Sequence, residues 1–301
     1  MIKEPLSDKV LQGLASVSAD GMDILMLEHG SVRATILNAT RLVNETRANH
    51  SLGILETLAL GYAYMGALLC TNQMKGTDRM SLSMECSGPM AGFAVESNAE
   101  GQVKGYLKVD HIPLDAPLES FDLSPFIQTG TLTVTKTLSN TNKPFSGTVE
   151  LTHGSIARDL TRYFQLSEQI QTAIALSVWF DPEGIVRGAG GLFLQALPGA
   201  DSQILEDLDD WITEIPSIGK LLADGQTPTG IMHSQFHAFR PEMVGSRAAE
   251  FHCPCDAQRF GAYLRSLPDS ERIALAAHDP DKVVVKCHNC GTEYIYRHDE
   301  L

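Results

Sequence analysis

Basic residues are scarce in this chain: 23 Lys and Arg stand against 37 Asp and Glu, a formal net charge of −14. Such a surface repels nucleic-acid phosphate, and modules that bind DNA or RNA normally carry a basic face. Long apolar runs are missing too. The most apolar stretch, Ile54 to Cys70, is interrupted by Glu56 and is shorter than a bilayer requires, so it reads as a buried core helix and no membrane span is expected. The opening MIKEPLSDKV has charges and a proline where a signal peptide needs an apolar stretch, which points to the cytoplasm, where thiols stay reduced. Enzyme signatures are absent: there is no G-x-S-x-G elbow, Walker A loop, G-x-G-x-x-G or H-E-x-x-H, and no enzymatic activity is expected. The glycine-rich run Arg187 to Gly191 lacks the lysine and following helix of a phosphate cradle, so a tight turn between strands is expected there.

Cysteine is sparse as well, but four of the six form two close pairs, Cys253 and Cys255 in FHCPCD and Cys287 and Cys290 in KCHNCG. Thiolates are soft, strong zinc ligands, and four of them close a tetrahedral site that leaves no position open for catalysis. Asp256 to Lys286 is long enough to fold into a small helical hairpin that brings the pairs together, and Gly291 lets the chain turn back toward the sulfurs. With one residue between them, Cys253 and Cys255 would be left as adjacent reactive sulfurs on loss of the metal. A purely structural zinc module is the alternative reading of this spacing. His252 and His288 flank the pairs but are left off the ligand set, because a flanking histidine is more often a solvated or supporting group. Cys70 and Cys86, in apolar or turn settings with no histidine motif nearby, read as inert.

At 301 residues and 43% hydrophobic, the chain can bury one main domain plus at least one smaller unit. Ser31 to Asn38 alternates as a half-buried strand, and a helix over Leu52 to Leu69 follows. Strands are expected over Met80 to Met84, Met90 to Val95, Gln102 to Val109, Gly130 to Thr137 and Gly147 to Leu151. A helix over Ser155 to Gln171 and strands over Thr172 to Phe180 and Gly190 to Leu197 complete the pattern. The fold class is therefore α+β, an N-terminal core of mainly antiparallel sheet flanked by helices. After Pro198 the character changes: six acidic residues and no basic one fall between Asp201 and Glu214, while Ile204, Leu205, Leu208, Trp211, Ile212 and Ile215 recur at helical spacing. Asp201 or Ser202 can cap this helix and Pro216 stops it. Crowded like charges disfavour it, so its stability must come from docking its apolar face; alone, the pattern also fits an ordinary amphipathic surface helix.

With these residues in place the chain resembles the heat-shock protein 33 family of redox-regulated chaperones over nearly its whole length. The resemblance rests on the cysteine set with 31 residues between its pairs, Arg259, Leu264 and Leu267, Tyr294, RYFQLSEQ at Arg162 to Gln169, and AGGLFLQALPG at Ala189 to Gly199. It implies a client-binding α/β core over residues 1–197, a metastable acidic linker over 198–250 and a zinc-binding redox switch over 251–301. It further implies an ATP-independent holdase, inactive while Cys253, Cys255, Cys287 and Cys290 hold one zinc. Oxidation to Cys253–Cys255 and Cys287–Cys290 disulfides would release the metal and activate it toward unfolded or partly unfolded clients, with a homodimer allowed in the oxidised form. Asn289 departs from the aromatic residue that many members place before the last cysteine, and Pro254 restrains the first pair.

The ending His298-Asp299-Glu300-Leu301 has the form of a retention signal of the endoplasmic reticulum, and Asn38, Asn44 and Asn49 open three glycosylation acceptors. Neither acts outside the secretory route, whose oxidising lumen would discharge a thiol switch in advance, so both read as coincidence. Two other functions stay open on the residues: a zinc-ribbon module binding nucleic acid or a protein partner, which the missing basic stripe disfavours, and a thiol oxidoreductase using Cys287 and Cys290.

Overall fold

The computed structural model describes residues 1–114, 120–141, 143–278, 281–297 and 299; the side chains of Ser202, Leu205, Ala276 and His278 lie outside the description, as do His298, Glu300 and Leu301. In chain order the strands are β1 (Gly21–Leu27), β2 (Val32–Asn38), β3 (Arg79–Cys86), β4 (Gly92–Asn98), β5 (Gln102–Leu107), β6 (Gly130–Thr137) and β7 (Phe145–Glu150). They continue with β8 (Thr172–Phe180), β9 (Val186–Ala196), β10 (Glu242–Ala248), β11 (Glu250–Phe251), β12 (Lys282–Lys286) and β13 (Glu293–Arg297). One sheet runs β10-β1-β2-β9-β8, a second runs β11-β5-β4-β3-β6-β7, and β12 and β13 form a hairpin. The β11–β5 pairing is parallel and the others are antiparallel, in keeping with the α+β class expected.

The apolar run becomes a helix, Ile54–Cys70, that touches β2, β8 and β9 of the first sheet and β3, β4 and β5 of the second. All of it is buried except Ile54 and Tyr62, as suits a helix that is apolar on every side. Glu56 is tolerated because it lies in the first turn, where the helix dipole favours an acid, and its Oε1 accepts from Ile112 N at 2.8 Å. Among the described residues no helix is long and apolar enough to cross a membrane.

The glycine-rich run Arg187 to Gly191 is not a turn, contrary to the expectation: it lies inside β9. The short helix Ile218–Ala223 rests directly on that strand. A Cβ on Gly188 would stand 2.0 Å from Gly219 O, and one on Gly190 would stand 2.4 Å from Leu37 O. The glycines mark a close backbone approach that the sequence mimics as a turn.

The acidic helix forms over Ser202–Glu214, and its cap is Asp201, whose side chain accepts from Gln203 N at 3.0 Å. Leu208 is fully buried, and Ile204, Trp211, Ile212 and Ile215 pack around a cluster that holds Leu25, Ile36, Leu192 and Leu194 of the first sheet. Trp211 Nε1 donates to Gln235 O at 2.8 Å, tying the helix to the one over Pro228–Gln235. The Leu205 side chain falls outside the described residues. The docking surface of this helix is thus the first sheet, and none of the four paired cysteines belongs to that cluster.

The helix Thr40–His50 carries buried polar residues in place of an apolar stripe. The three acceptor asparagines are all buried: Asn38 Nδ2 donates to Ser18 O at 2.7 Å, and Asn44 Nδ2 donates to Thr40 O at 2.9 Å and Val186 O at 3.1 Å. A glycan has no room at these positions.

Candidate metal centre

Each cysteine pair hangs from its own piece of strand. The two residues of β11 pair with Gln102 and Val103 of β5, and His252 N continues the ladder to Val103 O at 3.0 Å, which delivers Cys253 and Cys255 to the edge of the second sheet. Phe251 is fully buried with its ring 6.0 Å from that of Tyr64 on the central helix. Asp256 then caps the helix Ala257–Ser266 by accepting from Arg259 N at 2.8 Å, and Arg259 Nη1 donates to Pro254 O at 3.3 Å. A second helix, Asp269–His278, follows. The segment between the pairs is therefore a helix pair, as expected, with β12 added before the second pair; Leu264, Val283, Tyr294 and Tyr296 give it a small core of its own.

Cys287 and Cys290 occupy the turn between β12 and β13. Cys287 N donates to Thr292 O at 2.9 Å and Gly291 N to Cys287 O at 2.8 Å, and Gly291 adopts a φ of +70°, which glycine reaches without a side-chain penalty. The turn rests on the N-terminal core. Gly105 N of β5 donates to Asn289 O at 3.0 Å, and Tyr64 Oη donates to Gly105 O at 2.9 Å.

The four Sγ atoms lie within 4.8 Å of one another. Cys253 Sγ is 3.9 Å from Cys287 Sγ, and Cys255 Sγ is 3.4 Å from Cys290 Sγ. A tetrahedral zinc with bonds of about 2.3 Å places its sulfurs roughly 3.8 Å apart, so the donor set matches that ion in number, chemistry and size. Cys253, Cys287 and Cys290 are buried and Cys255 is half-buried. Hydrogen bonds from Cys253 and Cys287 hold the Cys290 thiol far below its usual range, while the bonds that Cys253 shares with Cys287 and Cys290 push its own thiol up. Cys70, by contrast, is pushed up to about 12 by burial, and burial also raises Cys86, so both stay protonated and inert.

The flanking histidines stay out of the cluster. His288 is exposed, with its ring edge-on to Tyr106 at 5.6 Å, and His252 is half-buried. Tyr294 Oη lies 3.2 Å from Cys255 Sγ and donates to Cys255 O at 3.0 Å, giving a physical reason for an aromatic residue at that place.

Sequence reasoning missed the partners supplied from the core. Asn49, in the last turn of the helix Thr40–His50, donates from Nδ2 to Cys290 O at 3.1 Å and to Ile2 O at 2.9 Å. Thr292 Oγ1 lies 3.2 Å from Cys290 Sγ and donates to Ile2 O at 3.0 Å. No local signal marks Asn49, since its role comes from a contact 241 residues away along the chain.

The model of the family described as Hsp33 protein matches residues 20–297. A 33 kDa chaperonin of Levilactobacillus brevis is 33% identical over 287 residues, spanning 94% of this chain and 96% of the relative. One from Geobacter sulfurreducens is 31% identical over 287 residues, with 95% of each chain covered. Among solved structures, the 33 kDa chaperonin (heat shock protein 33 homolog) of Thermotoga maritima superposes with a TM-score of 0.81 at 29% identity, covering 94% of this chain and 96% of that one. A match of this extent, with the four thiols gathered in one cluster, establishes that the chain belongs to the Hsp33 family.

Proposed function

We propose that this protein is a redox-regulated, ATP-independent holdase, silent while four cysteines hold zinc and active once they are oxidised. The observation that carries the reading is the four-sulfur cluster itself, matched in size to zinc and packed against the core. Zinc, when bound, cross-links the two pairs, and such a cross-link contributes on the order of 10 kcal/mol to the folding of a small module. Peroxide takes two electrons from each pair. One thiolate attacks the peroxide and becomes a sulfenic acid, its neighbour displaces the hydroxyl, and each disulfide formed leaves two molecules of water. Sulfurs bound to one another no longer serve as anionic ligands, so the cross-link is lost. The pairing Cys253–Cys255 and Cys287–Cys290 is the one that the family resemblance implies.

In this reading residues 251–301 are the switch, 198–250 the linker and 1–197 the client-binding core. The linker's apolar face covers Leu25, Ile36, Leu192 and Leu194, so its release exposes a large apolar surface. Apolar attraction is non-directional and suits clients of many sequences, while the net charge of −14 keeps the opened chain in solution. The same charge argues against nucleic acid as a partner. The cytoplasm, which keeps thiols reduced, is the compartment where such a switch stays charged.

The test is to treat zinc-loaded protein with peroxide at elevated temperature while following metal release with a chromogenic chelator and light scattering from an unfolding client. Release and suppressed aggregation should arise together. Equal suppression by the reduced, metal-loaded form would refute the proposal.

A further inference from the structure

We infer that Asn49 is a positioning residue for the metal centre, a clasp from the N-terminal core that fixes Cys290 in its liganding geometry and thereby sets how tightly the metal is held. The inference rests on the four-thiolate reading above and adds to it a residue outside the cysteine module. Asn49 is 5% exposed, and three of the four hydrogen-bonding positions of its amide are engaged. One N–H goes to Cys290 O at 3.1 Å and the other to Ile2 O at 2.9 Å, while Oδ1 accepts from Glu4 N at 3.0 Å. The residue is therefore rigidly placed, and one of its two donors is spent on the peptide of a ligand.

The backbone beneath it is equally close. A Cβ on Gly291 would stand 2.1 Å from Asn49 O and 3.3 Å from His50 Cα, so the cysteine turn lies flush against the end of the helix Thr40–His50. From the other side, Thr292 Oγ1 lies 3.2 Å from Cys290 Sγ and 3.0 Å from Ile2 O. Cys290 is thus held at its carbonyl by Asn49, Thr292 Oγ1 lies beside its sulfur, and both side chains are anchored on Ile2 O. Groups that orient a ligand without touching the metal typically contribute 10- to 100-fold in metal affinity. Here the group belongs to a different part of the fold from the ligand, so loosening of the core at this helix end should weaken the site even before any sulfur is oxidised.

The experiment compares full-length, zinc-loaded wild type with Asn49→Ala, Asn49→Asp and Thr292→Val. Zinc affinity is measured by chelator competition, and site geometry by the absorption of the Co²⁺-substituted proteins. Asn49→Ala should weaken zinc binding roughly tenfold or more, while the cobalt spectrum of four thiolates persists once the site is saturated. Asn49→Asp keeps the shape and the acceptor for Glu4 N but turns an oxygen toward Cys290 O; it should bind zinc no better than Asn49→Ala. Thr292→Val should weaken binding from the module side. Wild-type affinity in Asn49→Asp would reduce the residue to a space-filler, and wild-type affinity in both Asn49→Ala and Thr292→Val would overturn the inference. Failure of the wild type itself to hold zinc would instead sink the four-thiolate reading.

Discussion

Truncating Leu208 to alanine should open the acidic helix while leaving every cysteine untouched. The side chain is fully buried in the cluster that joins Ser202–Glu214 to the first sheet, and nothing else in the helix is sequestered as deeply among its described side chains. A buried Leu→Ala change costs about 2–5 kcal/mol. A 13-residue helix is marginal in isolation, and this one carries Glu206, Asp207, Asp209, Asp210 and Glu214 with no basic partner. The lost contact therefore falls almost wholly on docking. At about 3 kcal/mol, the opening equilibrium rises on the order of a hundredfold. Hydrogen exchange of the reduced, metal-loaded variant reads this directly: amides of the helix should exchange about a hundred times faster, while those of β6 in the second sheet keep their wild-type protection. The variant should also suppress client aggregation without oxidant. Unchanged exchange over Ser202–Glu214, or a uniform loss of protection across both sheets, would show that the helix does not open as a separate unit.

Three further outcomes are expected. Cys287→Ser should abolish tight zinc binding and make the C-terminal module sensitive to limited proteolysis, with the two-sheet core still resistant. Gly188→Ala should destabilise the fold by about 2 kcal/mol or more, since its Cβ would collide with Gly219 O at 2.0 Å; chemical denaturation measures the loss, and an unaffected midpoint would refute the close-approach argument. Burial pushes the Asp20 carboxyl up to about 7, against the pull of hydrogen bonds from the backbone N–H groups of Leu42 and Arg41. A carboxyl raised in the fold favours the native state when protonated, so wild type should lose stability relative to Asp20→Asn as pH rises from about 4 to about 7. A stability difference that stays flat over that interval would count against it.

Where hydrophobic period and turn chemistry agree, the sequence was a good guide. The strands over Gly130–Thr137 and Thr172–Phe180 fall where the alternation places them, and the apolar run forms the central helix within two residues. The helix Thr40–His50 was hidden because Asn44, Thr46 and Asn49 are buried polar residues: Asn44 and Asn49 find partners in other parts of the fold and Thr46 bonds back to Leu42 O, so no continuous apolar stripe marks it. The glycines of β9 misled for a related reason: the same residue serves a turn and a close helix contact, and only the neighbouring helix distinguishes them. At the candidate metal centre the gathering of the four thiols was legible, since their chemistry and spacing are local. Their supports were not: Asn49 and Thr292 acquire meaning only where both reach Ile2, and Tyr64 only where the central helix meets β5.

The first cysteine pair is attached to the second sheet by β11, two residues long and outermost in the strand order. Its departure strips away a marginal rung and breaks no interior pairing, because β5 keeps β4 on its other side. In the proposed switch the bed against which the tail lies would therefore survive an excursion, and a chain whose thiols were restored and resupplied with metal would find its way back by re-annealing onto a ready-made template.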